Sequence, residues 1–208
     1  MLGRQKEVTS QARLDHLSQV NNRRSFDEKQ KELFATLKDG WSHSLLILDI
    51  DNFKSFNDRY GYARGDEVLV VTCRILTTVV SELTGTDGFV GHVGGDDFVF
   101  MSAPSAIDAI CQTLIKRFDL VIPDFYDPED RQAGFIDSVD RRGNHERFPI
   151  MSLSIAVVTN EHRDISHPGD VSKIASELKK VAKSRPGSVY VKDNRTNPPD
   201  SAPESTPR

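Results

Sequence analysis

The stretch HVGGDDFVF, residues 92–100, sets two glycines and two aspartates between short runs of Val and Phe. The wider segment 88–102, GFVGHVGGDDFVFMS, reads as two short strands joined at Gly94-Gly95. A turn needs only the glycines. Asp96 and Asp97 add two like charges side by side, and these repel unless something positive lies between them.

Working outward, HSLLILDID, 43–51, is a short apolar run ending in two acids and reads as a buried strand. Side chains alternate along a strand, so Asp49 and Asp51 share a face. They stand at its C-terminal end, where α/β sheets commonly hold ligands. If 44–50 pairs with 97–101, Asp49 meets the acids of the turn. Three crowded carboxylates need compensation. A hard divalent cation such as Mg²⁺ supplies it and completes its shell with water and phosphate oxygens. The glycines then leave room for a phosphate to approach the backbone. Each half has a plainer reading too. Asp49 and Asp51 serve equally as solvated or capping acids, and 94–97 as a hairpin with a polar tip.

In NFKSFNDRYGYARGDEVL, 52–69, Asn57 and Asp66 are polar groups within reach of the strand end. Both can pair with a purine edge. Asp66 equally suits the N-cap of the following helix, with Gly61 and Gly65 framing the turn between. Helices are expected over 25–40 (with Ser25 as N-cap and Gly40 as terminator), 64–83, 105–122 and 169–184. Further strands are expected at 150–159 and in GSVYVKD, and an extra hairpin, FIDSV with HERFPI, around DRRGN. Helices alternating with strands, plus an antiparallel hairpin, predict an α/β (α+β) fold with a mixed sheet.

Composition narrows the function. With 31 acids against 27 bases the formal net charge is -4, so no basic excess points to nucleic acid, and a polyanion partner would need a local patch or a metal. Cys73 and Cys111 are isolated, so no disulfide framework is expected. The polar start shows no signal peptide, and no apolar run approaches the roughly 20 residues that span a bilayer. A cytoplasmic chain without membrane contact is expected. His162 and His167 do not make a zinc pattern, and Trp41 reads as packing. The four-proline tail, from Asn194, reads as disordered.

Several blocks together resemble the GGDEF domains, the diguanylate cyclases. Gly94, Gly95, Asp96, Asp97 and Phe98 resemble the signature turn. LDHLSQVNNRR, 14–24, is similar to the opening motif through Asp15, Leu17, Asn22, Arg23 and Arg24. DIDNFKSFNDRYGYARGDEVL, 49–69, resembles the most specific block through Asp49, Asp51, Phe53, Lys54, Asn57, Asp58, Gly61, Gly65, Asp66 and Leu69. SLSIAVV resembles the later core strand, and Ala182-Lys183 the lysine of the last helix. The likeness spans about 14–192, leaving 1–13 as a linker or the end of an upstream signalling helix and 193–208 as a tail.

The resemblance implies a palm-like sheet with flanking helices, as in nucleotide cyclases and polymerases. It implies that two GTP are joined into cyclic di-GMP with release of pyrophosphate, in a homodimer of half-sites with two Mg²⁺ (or Mn²⁺) each. A sensory domain joined N-terminally is commonly implied as well. Carried over by position, Asp49, Asp96, Asp97 and the Ile50 carbonyl would hold metal. Asp96, Asp97 and Lys54 would serve catalysis, and Asn57 and Asp66 would read guanine. Lys54 and Lys183 would contact phosphates, while Phe53, Gly94 and Gly95 would shape the pocket.

Four positions depart from the pattern. Asp97 replaces the usual Glu and is one methylene shorter, which implies weaker catalysis. It also leaves open the alternative of a non-catalytic domain that binds GTP or cyclic di-GMP as a receptor or regulatory module. His92 stands where an Arg precedes the glycines and reads as structural. GTDG, 85–88, lacks the Arg-x-x-Asp product-inhibition site. The last helix is more polar than usual, and the phosphate arginine after it has no clear match beyond nearby Arg185.

Overall fold

The computed structural model describes residues 13–36, 44–85, 88–139, 145–165 and 167–196. Its architecture is built around β1, Ser44–Asp51, which is buried along almost its whole length. Such a run of apolar side chains on both faces belongs in the middle of a covered sheet. There β1 pairs antiparallel with β3 (Asp97–Ser102) on one side and with β6 (Ser152–Thr159) on the other. β2 (Phe89–Gly94) adds to β3 as the expected hairpin, and β7 (Val189–Lys192) joins β6 in parallel. The order β2-β3-β1-β6-β7 makes the mixed α+β sheet predicted above.

Helices cover both faces. One face of β1 carries Leu46, Leu48 and Ile50 into a core with α2 (Phe53–Tyr60), α3 (Tyr62–Thr84) and α4 (Pro104–Val121). The other face carries Leu45 into a second core with Phe26 of α1 (Arg23–Thr36) and with Val171, Ile174, Ala175 and Leu178 of α6 (Pro168–Lys183). Large side chains such as Phe56, Phe98 and Leu153 are essentially sealed from water. Each contributes roughly 1.5–3 kcal/mol through burial. A 3₁₀ turn, Ile122–Phe125, then α5 (Pro128–Ala133) and the hairpin β4–β5 (Phe135–Val139 with His145–Pro149) occupy the polar segment before β6. The hairpin is the one expected, and its tip at 140–144 lies outside the described residues.

Three local expectations change. Helix α1 begins at Arg23, and the Asn22 side chain accepts from the Ser25 backbone N–H at 3.1 Å. Asn22 is therefore the cap, while Ser25 lies inside the helix and donates its hydroxyl to the Arg13 carbonyl. Residues 53–60 form the separate helix α2, so Gly65 frames no turn but sits buried in α3. For the same reason Asp66 is a helix-interior residue and caps nothing. Gly40, Trp41, residues 1–12 and 197–208 lie outside the described residues. Cys73 and Cys111 are buried free thiols in α3 and α4, and burial pushes the Cys73 thiol up to about 11.

Candidate active site

The sheet register assembles the site. β1 and β3 place Asp49 directly opposite Asp97, and the β2–β3 turn adds Asp96 next to them. Gly94 and Gly95 take φ of 127° and 57°, a region that side chains with a Cβ rarely adopt. Open space lies where their side chains would be. One carboxylate oxygen from each of Asp49, Asp96 and Asp97 lies within 4.8 Å of the others. Asp49 is 4% exposed, and its Oδ1 has no hydrogen-bond partner. Burial raises the Asp96 carboxyl above the usual carboxylate range, and the charges of Asp49 and Asp97 add to the effect.

Asp51 shares the face of Asp49, as expected, but is held differently. Its Oδ2 accepts hydroxyls from Ser152 at 3.1 Å and Ser154 at 2.7 Å, across the strand pair β1–β6. Burial, with the Asp49 charge beside it, still raises its carboxyl despite those two hydrogen bonds. Among the described residues, positive charge comes from α6. Lys179 Nζ lies 2.7 Å from Asp49 Oδ2 and 2.6 Å from Asp97 Oδ1. Lys183 Nζ lies 2.6 Å from Asp49 Oδ1, an ion pair outside hydrogen-bond alignment, and 3.9 Å from Asp51 Oδ1. Burial pulls the Lys179 ammonium down, but its hydrogen bonds to Asp49 and Asp97 outweigh this and raise it. Two lysines thus approach the carboxylates in addition to any divalent ion expected there.

Helix α2 leaves the end of β1 and carries the next group. Phe53 is buried in the core, whereas Lys54 is exposed on the second residue of α2. Asn57 lays its amide against Gly65: a Cβ on Gly65 would stand 1.8 Å from Asn57 Oδ1. That oxygen is buried and has no hydrogen-bond partner. Asp66, next to Gly65, is exposed. Ile50 is buried with its side chain in the core. The structure therefore brings Asp49, Asp96, Asp97 and Lys183 together, and pairs Asn57 with Gly65 next to Asp66. Lys54 is exposed on the helix that follows β1.

His92 ties the turn to the segment before α1. Its Nε2 lies 2.8 Å from the Gly95 carbonyl, its Nδ1 3.1 Å from Asp15 Oδ1, and its ring stacks on Phe98. Burial would raise the Asp15 carboxyl, but hydrogen bonds from the Ser18 N–H and hydroxyl and from His92 bring it down to about 2. Lys179, Ser152 and Ser154 were not expected at the site. The signals were the Lys179–Lys183 spacing, one helical turn, and the alternate serines of SLSIAVV on the strand that neighbours β1.

The donor set is three hard carboxylates, and the buried Asp49 oxygen lacks a hydrogen bond, so these residues fit a hard divalent ion. Comparison with known proteins agrees with the geometry. Residues 12–128 match the model of the diguanylate cyclase GGDEF domain. The probable diguanylate cyclase DgcF of Escherichia coli K12 is 38% identical over 100 residues, 48% of this chain and 30% of that protein. A diguanylate cyclase of Vibrio cholerae is 34% identical over 111 residues, 51% of this chain and 33% of that protein. The matched region is thus about a third of those relatives' length. The coiled coil and GGDEF domain of DgcB from Caulobacter crescentus, solved with c-di-GMP, shares the fold with a TM-score of 0.64 at 21% identity, covering 91% of each chain. The family match takes in more than half of the 208 residues, and the chain belongs to the GGDEF-domain diguanylate cyclase family.

Proposed function

We propose that the chain condenses two GTP into cyclic di-GMP across a homodimer of half-sites. In each step the 3′-oxygen of one nucleotide attacks the α-phosphorus of the other. A new P–O bond forms, the bond to the β-phosphate oxygen breaks, the hydroxyl proton is lost, and pyrophosphate leaves. The second step closes the ring. Two nucleotides facing each other need two half-sites, hence the dimer.

Asp49, Asp96, Asp97 and the Ile50 carbonyl would hold Mg²⁺ or Mn²⁺, two ions to each half-site. Such ions, when bound, neutralise the triphosphate and steady the attacking and leaving oxygens. The chain's own groups do the rest. Asn57 presents its side-chain amide to the base edge, and the neighbouring Asp66 carboxylate accepts from the paired N–H groups of guanine. Lys54 and Lys183 meet phosphate charge. Gly94 and Gly95 leave the turn bare for the triphosphate, and Phe53 packs beneath. Asp96 and Asp97 lie nearest the reacting oxygen. On the same reading, 14–192 is the cyclase domain, an N-terminal sensory domain sets its activity, and the protein works in the cytoplasm.

The convergence of Asp49, Asp96 and Asp97 at the end of β1 carries this reading. The test is incubation with GTP and Mg²⁺ over a range of protein concentrations, with cyclic di-GMP read by chromatography. Product should rise faster than linearly with protein. GTP left intact at high protein concentration overturns the proposal, and tight binding without turnover would assign the chain to the receptor role.

A further inference from the structure

The geometry points to Lys179 as a resident cation of the carboxylate cluster, which a divalent ion must displace from Asp49 and Asp97 in order to bind. This rests on the reading that Asp49, Asp96 and Asp97 are the ion's ligands. Asp49 and Asp97 are cross-strand neighbours in register, and like charges directly opposite destabilise a strand pair. The Lys179 ammonium joins them, at 2.7 and 2.6 Å. Lys183 does not do the same, since its contacts are with Asp49 and Asp51, both on β1. Lys179 is therefore the cation shared by the central strand and the signature hairpin.

An ammonium has three donors and no acceptor. It seeks the same carboxylate lone pairs as a hard ion. A doubly charged ion on Asp49 Oδ2 and Asp97 Oδ1 would stand beside the ammonium, and the two repel. The released side chain has somewhere to go. A cleft of about 230 Å³ between α1 and α6 borders Lys179 and Asp97; Asp27, which pairs with Arg23 at 3.2 Å, lines it together with Ser172 and Ser176, whose hydroxyl oxygens can receive the ammonium. Lys179 thus lowers ion affinity and holds the strands together until the ion arrives. It is a positioning residue and is not placed among the reacting atoms.

The experiment is Mn²⁺ binding to the nucleotide-free protein, read from the electron paramagnetic resonance signal of free Mn²⁺. Lys179→Met should bind at least tenfold more tightly than the wild type. Lys180→Met removes the same charge from an exposed position on the same helix and should bind like the wild type. If Lys179→Met does not fold, as judged by its melting curve, Lys179→Gln keeps a donor for Asp97 and should also tighten binding. Unchanged or weaker Mn²⁺ binding in these variants overturns the role of Lys179, and so does equal tightening in Lys180→Met. Asp96→Asn separates the two readings. If it leaves Mn²⁺ binding intact, the ion is elsewhere and both fall. If it abolishes binding while Lys179→Met fails to tighten it, the metal centre stands and only the displacement is refuted.

Discussion

Gly65→Ala isolates the contact on which the proposed base recognition depends. A Cβ at this position would lie 1.8 Å from Asn57 Oδ1, 2.9 Å from its Cγ and 3.3 Å from its Nδ2. No such approach is tolerated, so the Asn57 side chain must swing away. The backbone itself has no objection, because Gly65 sits within helix α3 and Ala is favoured there by about 1 kcal/mol. The displaced oxygen makes no hydrogen bond, so only steric strain opposes that gain. Forced repacking costs about 1–3 kcal/mol. The single variant should therefore lose between nothing and about 2 kcal/mol of stability. It should also lose the hydrogen bond to guanine, and about 1.4 kcal/mol would weaken GTP binding roughly tenfold. In an Asn57→Ala background the obstruction is gone, and Gly65→Ala should turn stabilising, by up to about 1 kcal/mol. Thermal melts of the four proteins, with GTP calorimetry on the single variants, read both effects. If Gly65→Ala destabilises the Asn57→Ala protein as much as the wild type, the clash lies elsewhere and the reasoning fails.

Other positions give sharper local tests. Asp97→Glu restores the longer acid of the family signature and should raise cyclic di-GMP formation several-fold, measured by initial rates at fixed protein concentration; a lower rate would show that the turn has adapted to the shorter side chain. Asp15, brought down to about 2 in the folded protein from 3.8, stabilises the fold fully above pH 4 and loses that contribution as pH falls through about 2. The stake is about 2 kcal/mol, so acid unfolding followed by circular dichroism should show a shallower slope over that window in Asp15→Asn. Asp193 is 2% exposed and ion-pairs with Arg163 and Arg195 at 3.4 and 2.6 Å. Asp193→Ala removes the buried acid and leaves Arg163 and Arg195 partly in water, with Arg195 still paired with Glu177 at 2.8 Å, so it should cost about 1–3 kcal/mol in urea denaturation; no measurable cost would mean that water already screens the cluster.

Much of this architecture was legible because burial writes a simple pattern. LLILDI has apolar side chains on both faces, which only a central strand tolerates, and β1 is that strand. Gly94 and Gly95 marked the hairpin, and FIDSV with HERFP marked the second one. Helix α2 was missed because eight residues with two buried positions, Phe53 and Phe56, give too short a period to stand out. The Ser25 cap was misjudged because Asn22, three residues earlier, offers the same chemistry one turn closer to the chain's bend. At the site, Asp49 and Asp51 could be read from strand alternation and Asp96 and Asp97 from the glycine turn, and the pairing of the two apolar strands brings them together. Lys179 carried only the indirect signal of its one-turn spacing from Lys183, because its partners lie 130 and 82 positions away and the packing of α6 on the sheet brings them together.

The segment before α1 has a further effect at the sheet's rim. Asn21 bridges Gly91, its side chain donates to the Val90 carbonyl at 2.8 Å, and its own carbonyl accepts from the His92 N–H at 2.8 Å. The outer border of β2 is thus already occupied by the chain's own backbone and side chain, at the stretch where an open edge would invite a foreign strand. Pairing of a second strand along β2 at Val90–His92 would first have to displace Asn21 from this border.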